Sequence, residues 1–137
     1  MYEVRQSDKP LWKELMKYKI SASLLALNLN AVAAQQNLDL PSCDLQGQRE
    51  FVGEIGGKII DTRQAHISAR ANVLSADIGT TRKARRITQS EAERMSKSIE
   101  EIRQQTDRFV EEQGFLSAAE RASFDREFDT IAMQLCK

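Results

Sequence analysis

Apolar residues recur every three or four positions along the second half of the chain, the spacing of one face of an α-helix. The spacing begins after Asp44, a candidate N-cap. The recurring positions of this first region are Val52, Ile55, Ile59, Ile60, Ile67, Ala71, Leu74 and Ile78. Because a glycine inside a helix costs about 1 kcal/mol relative to alanine, Gly56-Gly57 predicts a break or a close helix crossing. Gly79 is expected to end the region, and 77–86 to be a connection.

Two later segments, ITQSE at 87–91 and LSAAE at 116–120, share a helix-start motif. In such a capping box, the hydroxyl of Thr88 or Ser117 accepts from a backbone N–H, and Glu91 or Glu120 reaches back to the cap. The helix that begins at Thr88 is predicted to end at Gly114. The short link after Gly114 makes this helix and the one that begins at Ser117 antiparallel neighbours. Their apolar seams contain Ala92, Met95, Ile99, Ile102, Thr106, Phe109 and Gln113 in one helix, and Phe124, Phe128, Ile131 and Leu135 in the other.

The N-terminal third has a different pattern, typical of a secretory signal peptide. Lys17 and Lys19 precede an apolar run at 20–29, and small residues then allow cleavage after Ala33 or Ala34. The apolar run is shorter than the about 20 residues that a transmembrane helix needs. We therefore expect an exported protein, periplasmic in a Gram-negative cell, with no stable membrane insertion after signal removal.

The start of translation has two interpretations, Met1 or Met16. Acidic residues before the basic segment are unusual for a signal peptide, which favours Met16. The predicted organisation is then an N-terminal extension at 1–15, a signal peptide at 16–34 and a single helical domain at 35–137.

Two cysteines, Cys43 and Cys136, lie near the two ends of the predicted domain. An even number in an exported chain favours a disulfide. The alternative for Cys43 is lipidation, since LPSC at 40–43 is similar to a lipobox. An intramolecular bond requires the first helical region to break at Gly56-Gly57, or the leader to fold back along the bundle, since the Cα atoms must come within about 7 Å. A continuous helix over 44–76 would instead favour an intermolecular bond. The predicted fold class is all-α, an antiparallel helical hairpin or a small bundle of three to four segments, tied by a disulfide.

Charge and composition indicate little chemistry. The chain has 20 Lys and Arg against 20 Asp and Glu, which does not call for a nucleic-acid partner. The single histidine, His66, is interpreted as a packed or surface residue, and the basic run 82–86 as a solvated surface, with an anion site as the alternative. The acidic residues Asp107, Glu111, Glu112 and Glu120 are interpreted as helix-face charge rather than a calcium site. We expect no catalytic, cofactor or metal site.

The motifs at 87–91 and 116–120 resemble those of the LTxxQ-motif family of small periplasmic stress proteins, chaperones and metal-resistance factors. The resemblance covers about 50 residues and implies an exported, all-helical protein that often dimerises. Glu91 and Glu120 stand where that family has glutamine, and Ser117 where it has threonine. No metal-binding tail is present in the sequence, so the resemblance extends to fold and compartment.

The sequence thus predicts a non-enzymatic binding or interaction protein with a protein partner, stress-related or chaperone-like, and with homodimer formation open. The alternative is an inhibitor or immunity-type protein that binds one partner enzyme. A degraded or cryptic enzyme is the third hypothesis.

Overall fold

Four α-helices and a 3₁₀ turn form the described part of this computed structural model, residues 38–137. The turn is Pro41–Cys43, and the helices are α1 Leu45–Glu50, α2 Thr62–Lys83, α3 Gln89–Gln113 and α4 Ala118–Leu135. The predicted all-α, disulfide-tied bundle is therefore confirmed. The predicted extension 1–15, the signal peptide and its cleavage sites Ala33 and Ala34 lie outside the described residues.

The longest apolar stripe places α2 at the centre of the bundle. α2 packs extensively against both α3 and α4, whereas α3 and α4 contact each other only slightly. α2 and α4 bury the residues that the helical spacing predicts from Ile67 onward. In α3 the prediction is wrong at the C-terminal end, where Val110 is buried, Phe109 is half-buried and Gln113 is exposed. The buried core includes Ile67, Ala71, Leu74, Ile78, Ala92, Met95, Ile99, Ile102, Val110, Leu116, Phe124, Phe128, Ile131 and Leu135.

Both predicted capping boxes form at the starts of α3 and α4. The Thr88 hydroxyl accepts from the Glu91 backbone N–H at 3.2 Å, and the Glu91 carboxylate accepts from the Thr88 backbone N–H at 2.7 Å. Ser117 and Glu120 repeat this arrangement at 3.2 and 2.8 Å. These backbone hydrogen bonds lower the pKa of each glutamate below its ordinary value. α3 ends at Gly114, whose φ of 85° is left-handed and suits glycine.

The prediction of a helical stripe through Val52 and Ile55 is wrong. α1 ends at Glu50, and residues 51–61 form a loop before α2 begins at Thr62. The loop backbone at Gly53 presses against α2 so closely that a Cβ there would lie 2.0 Å from the Ala65 carbonyl oxygen. The predicted break at Gly56-Gly57 is present, but it extends over the whole loop.

The prediction that Gly79 ends the first helical region is also wrong, because α2 continues to Lys83. Burial of Ile78 and Thr81 on either side of the glycine offsets the cost of about 1 kcal/mol for glycine in a helix. The helix ends only after this buried turn, and Arg85 then adopts a left-handed φ of 59°.

The two cysteines form the predicted disulfide. Cys43 and Cys136 have Cα atoms 5.8 Å apart, and the bond joins the 3₁₀ turn to the C-terminal end of α4. The turn is also fastened to α2, because the Ser42 backbone N–H donates to the Asp77 carboxylate at 2.8 Å. With both thiols in the bond, none remains for the alternative lipid attachment. Among the described helices, none has the length and apolar character required to span a bilayer.

Candidate functional site

One loop carries most of the exposed apolar surface in residues 38–137. Among residues 38–137, six large apolar side chains are exposed. Four of them belong to the loop 51–60, which we call the apolar loop. Their exposed fractions are 44% for Phe51, 85% for Val52, 57% for Ile55 and 64% for Ile60. Isolated exposed apolar residues are ordinary, but a contiguous group of them marks an interaction site.

Three contacts hold the apolar loop on α2. At its start, the Phe51 carbonyl oxygen accepts from His66 Nδ1 at 2.6 Å. In its middle, the backbone of Gly53 packs against the Ala65 carbonyl. At its end, the Ile60 backbone N–H donates to Gln64 Oε1 at 3.0 Å. The loop is therefore fixed at both ends.

A tight turn shapes the tip of the apolar loop. Gly56 and Ile59 exchange two backbone hydrogen bonds of 3.0 Å around Gly57-Lys58. Gly57 has a φ of 60°, which a residue without a Cβ adopts at little cost. Between Val52 and Ile55, by contrast, the backbone makes no hydrogen bond to any other described residue. This segment combines exposed apolar side chains with unpaired N–H and C=O groups.

A buried cluster of charges supports the start of the loop. It consists of His66 and Arg70 on α2 with Asp125 and Asp129 on α4, and each is at most 8% exposed. His66 Nε2 and one Arg70 nitrogen both donate to Asp125 Oδ1, at 2.8 and 2.7 Å. A second Arg70 nitrogen donates to Asp129 Oδ1 at 2.9 Å. The Arg70 guanidinium also lies 5.5 Å from the centre of the Phe128 ring, within cation–π range.

Both ring nitrogens of His66 lie at hydrogen-bond distance from oxygen atoms, the Phe51 carbonyl and the Asp125 carboxylate. Asp125 is the member of the cluster whose titration these contacts change. Burial raises the pKa of Asp125, but hydrogen bonds and charge from His66 and Arg70 outweigh it, so that this pKa lies below its ordinary value.

The exposed Arg49 and the half-buried Arg121 extend the cluster to α1. Arg49 donates through two nitrogens to Asp129 Oδ2, and Arg121 donates to the backbone carbonyl of Arg49. Arg121 also lies 3.5 Å from Asp125. These contacts hold α1 against α4, immediately before the apolar loop begins.

This geometry suits a structural support better than a catalytic centre. Both ring nitrogens of His66 are engaged by partners within the fold, the Phe51 carbonyl and the Asp125 carboxylate. The groove beside His66 is lined by Glu50, Phe51, Thr62 and Arg121, which include no serine or cysteine nucleophile. Within residues 38–137, no cluster of three or more His, Cys, Asp or Glu side chains is arranged to hold a metal ion.

The sequence-predicted residues fall in several places. Cys43 and Cys136 are joined, and the four cap residues lie at the two helix starts. Of the acidic group, Asp107 accepts from Gln64, and Glu120 serves the α4 cap. The basic run 82–86 is exposed at every position, and its first two residues form the end of α2.

Sequence reasoning missed the buried charge cluster and the exposure of the loop. One signal was present. Arg70 lies between Ile67 and Leu74 on the apolar face of α2, where a charge requires a buried partner. Asp125 and Asp129 are spaced i,i+4 beside the core residues of α4, which supplies such partners.

Comparisons of the chain with protein-family models, with curated proteins and with solved structures find no match. The resemblance to the LTxxQ-motif family thus stays an expectation from two short motifs. The features of the structure that bear on function are the apolar loop and the buried charge cluster that holds its start.

Proposed function

We propose that this chain is an exported, non-enzymatic protein that binds a protein partner through the apolar loop 51–60. The observation that carries the proposal is the concentration of exposed apolar side chains in one loop that is held at both ends. The helices, in contrast, bury their apolar stripes in the bundle core.

Fixing the loop before binding favours association. A free loop would lose conformational entropy when a partner orders it, which lowers affinity. Here the contacts from His66, Ala65 and Gln64 already order the backbone on either side of Val52 and Ile55. The apolar side chains can then be buried in a partner at little ordering cost.

The backbone of 52–55 favours a partner with an apolar cleft. Its unpaired N–H and C=O groups can hydrogen-bond to a partner's main chain, while Val52 and Ile55 enter the cleft. This arrangement supports the inhibitor or immunity-type function, with one partner enzyme, more than a chaperone-like function. A chaperone that holds unfolded clients needs a broader apolar surface than one ten-residue loop.

The disulfide supports the proposed compartment. Cys43–Cys136 is a bond that persists in an oxidising environment, and the bacterial periplasm is one. We therefore place the proposed partner in the periplasm, together with the signal peptide that the sequence predicts at 16–34.

Capture from a periplasmic extract tests the proposal. The wild-type protein, with its disulfide intact, is immobilised beside a Val52→Ser/Ile55→Ser variant and a Met133→Ser control. Met133 is 54% exposed on α4, outside the loop, so it matches the loss of an exposed apolar side chain. We expect wild type and control to retain the same protein, and the loop variant to lose it.

Each other outcome has a defined meaning. Equal capture by the loop variant would show that the loop is not the docking surface. Capture of many proteins, together with suppressed aggregation of a denatured client, would support the chaperone-like function instead. Retention of only the same chain would identify a homodimer, which sedimentation of the purified protein checks.

A further inference from the structure

A cavity lies between the apolar loop and the helices that carry it. We call it the Arg103 cavity. Its volume is about 200 Å³, and its walls come from three elements. Lys58 and Ile59 belong to the loop, Ile67 and Ser68 to α2, and Arg103 and Thr106 to α3. A cavity of this size accommodates a small molecule.

Arg103 enters the cavity as a cation with neutral partners. It donates to Asn72 Oδ1 at 2.7 Å and to Ser68 Oγ at 3.5 Å. None of the ion pairs found within residues 38–137 includes it. A guanidinium has five N–H donors, so several remain for an anionic ligand.

The other charges in the cavity wall leave a positive balance. Lys58 adds a second cation from the tip of the loop. Asp107 is the one carboxylate in the wall, and it already accepts from Gln64 Nε2 at 3.0 Å. The cavity therefore favours a single negative charge beside Arg103 and Lys58.

The apolar part of the wall determines the rest of the ligand. Ile59 and Ile67 face the cavity. Ile59 and Ser68 also line a neighbouring open groove of about 360 Å³, with Ala65 and Ala69 along α2. Glu54 lies in that groove, so the negative group belongs on the Arg103 side and the apolar chain extends toward the alanines.

We propose that the Arg103 cavity binds a small amphipathic carboxylate, with its head on Arg103 and Lys58 and its apolar body on Ile59 and Ile67. Such a group is found on a free short-chain acid and on the C-terminal residue of a peptide. The proposal does not require the docking function of the loop, because the head of the ligand lies on Arg103 and Lys58 and not on Val52 or Ile55.

Titrations followed by two-dimensional amide NMR test the site on the intact, disulfide-bonded protein. The probes are hexanoate, N-acetylleucine and, as a neutral control, hexan-1-ol. A ligand of this size binds with a Kd on the order of 1 mM. We expect saturable shifts at the amides of Ser68, Arg103 and Thr106 with both carboxylates, and much smaller shifts with hexan-1-ol. Tighter binding of N-acetylleucine supports a peptide C-terminus, and tighter binding of hexanoate supports a free acid.

Three variants assign the contacts. Arg103→Gln should weaken carboxylate binding by about tenfold, the loss of one charge-assisted hydrogen bond, while Arg126→Gln, an exposed arginine on α4, should not. Lys58→Gln lies in an exposed turn and should weaken binding without affecting the fold. Thr106→Val removes a buried hydroxyl that has no hydrogen-bond partner and does not contact the ligand, so it should raise the unfolding midpoint and leave binding unchanged. Absence of saturable shifts, equal binding of hexan-1-ol, or unchanged binding by Arg103→Gln would each overturn the proposal.

Discussion

Adding a single methyl group at Gly53 should release the apolar loop from α2. The Cβ of Gly53→Ala would lie 2.0 Å from the Ala65 carbonyl oxygen, 2.2 Å from its carbonyl carbon and 2.9 Å from the His66 backbone nitrogen. Carbon atoms in contact require about 3.5 Å, so the loop would have to move by at least about 1.3 Å. The neighbours are helix backbone, which cannot give way as a flexible side chain would.

The displacement has a second consequence at the start of the loop. The hydrogen bond of 2.6 Å from His66 to the Phe51 carbonyl would be stretched beyond its useful range. Overpacking costs about 1–3 kcal/mol, and a lost hydrogen bond about 1 kcal/mol. We expect the free energy of unfolding to fall by about 2–4 kcal/mol relative to wild type.

Urea denaturation measures this change, with Gly56→Ala as the matched control. Gly56 lies in the same loop, but a Cβ there would have no atom within 4 Å, so its free energy of unfolding should stay within about 0.5 kcal/mol of wild type. The imidazole resonances of His66 report the hydrogen bond directly. If Gly53→Ala is as stable as Gly56→Ala and leaves those resonances unchanged, the packing of the loop on α2 is not as described.

Three further predictions concern the helices and their fastening. The disulfide closes a separation of 93 residues, which in the chain-entropy model stabilises the fold by about 4–5 kcal/mol. A Cys43→Ser/Cys136→Ser variant should therefore unfold at a much lower urea concentration, and a decrease of under about 1 kcal/mol in the free energy of unfolding would refute this. Gly79→Ala should stabilise α2 by about 1 kcal/mol, since a Cβ there meets open space, and a destabilised variant would contradict a continuous helix. The lowered pKa of Asp125 contributes stability that is complete above the unfolded value, near pH 4, and disappears as the pH falls through the lower folded value. Wild type should therefore lose more unfolding free energy between pH 5 and pH 2 than Asp125→Asn, and equal losses would argue against the ion pairs.

The helices that the sequence predicted well are those whose signals are local. Capping boxes at Thr88 and Ser117 depend on residues three positions apart, and the seam of α4 depends on a spacing of three and four. Gly114 ends α3 because glycine adopts the left-handed backbone conformation of this position at lower cost than any other residue, whatever surrounds it. Such features require no knowledge of the rest of the chain.

The disulfide was predictable from the even number of cysteines and from the expected export of the chain, but it could form only if the two cysteines came close together. It needed either a break in the first helical region, predicted at Gly56-Gly57, or a leader that folds back along the bundle. The structure supplies that break as a loop of residues 51–61, and the Cα atoms of Cys43 and Cys136 come within 5.8 Å.

Tertiary structure decided the two features on which the proposals depend. The segment around Val52 and Ile55 matches a helical stripe as well as it matches a loop, and only the close approach of Gly53 to α2 makes the helical alternative impossible. Likewise, the charges of the buried cluster are 55 to 59 residues apart in sequence, so that their pairing appears only after α2 and α4 have packed. Helix starts, helix ends and apolar faces follow from interactions within a few residues. The exposure of the apolar loop, the pairing of His66 with Asp125 and the cavity beside Arg103 depend on long-range contacts, whose partners a local pattern does not name.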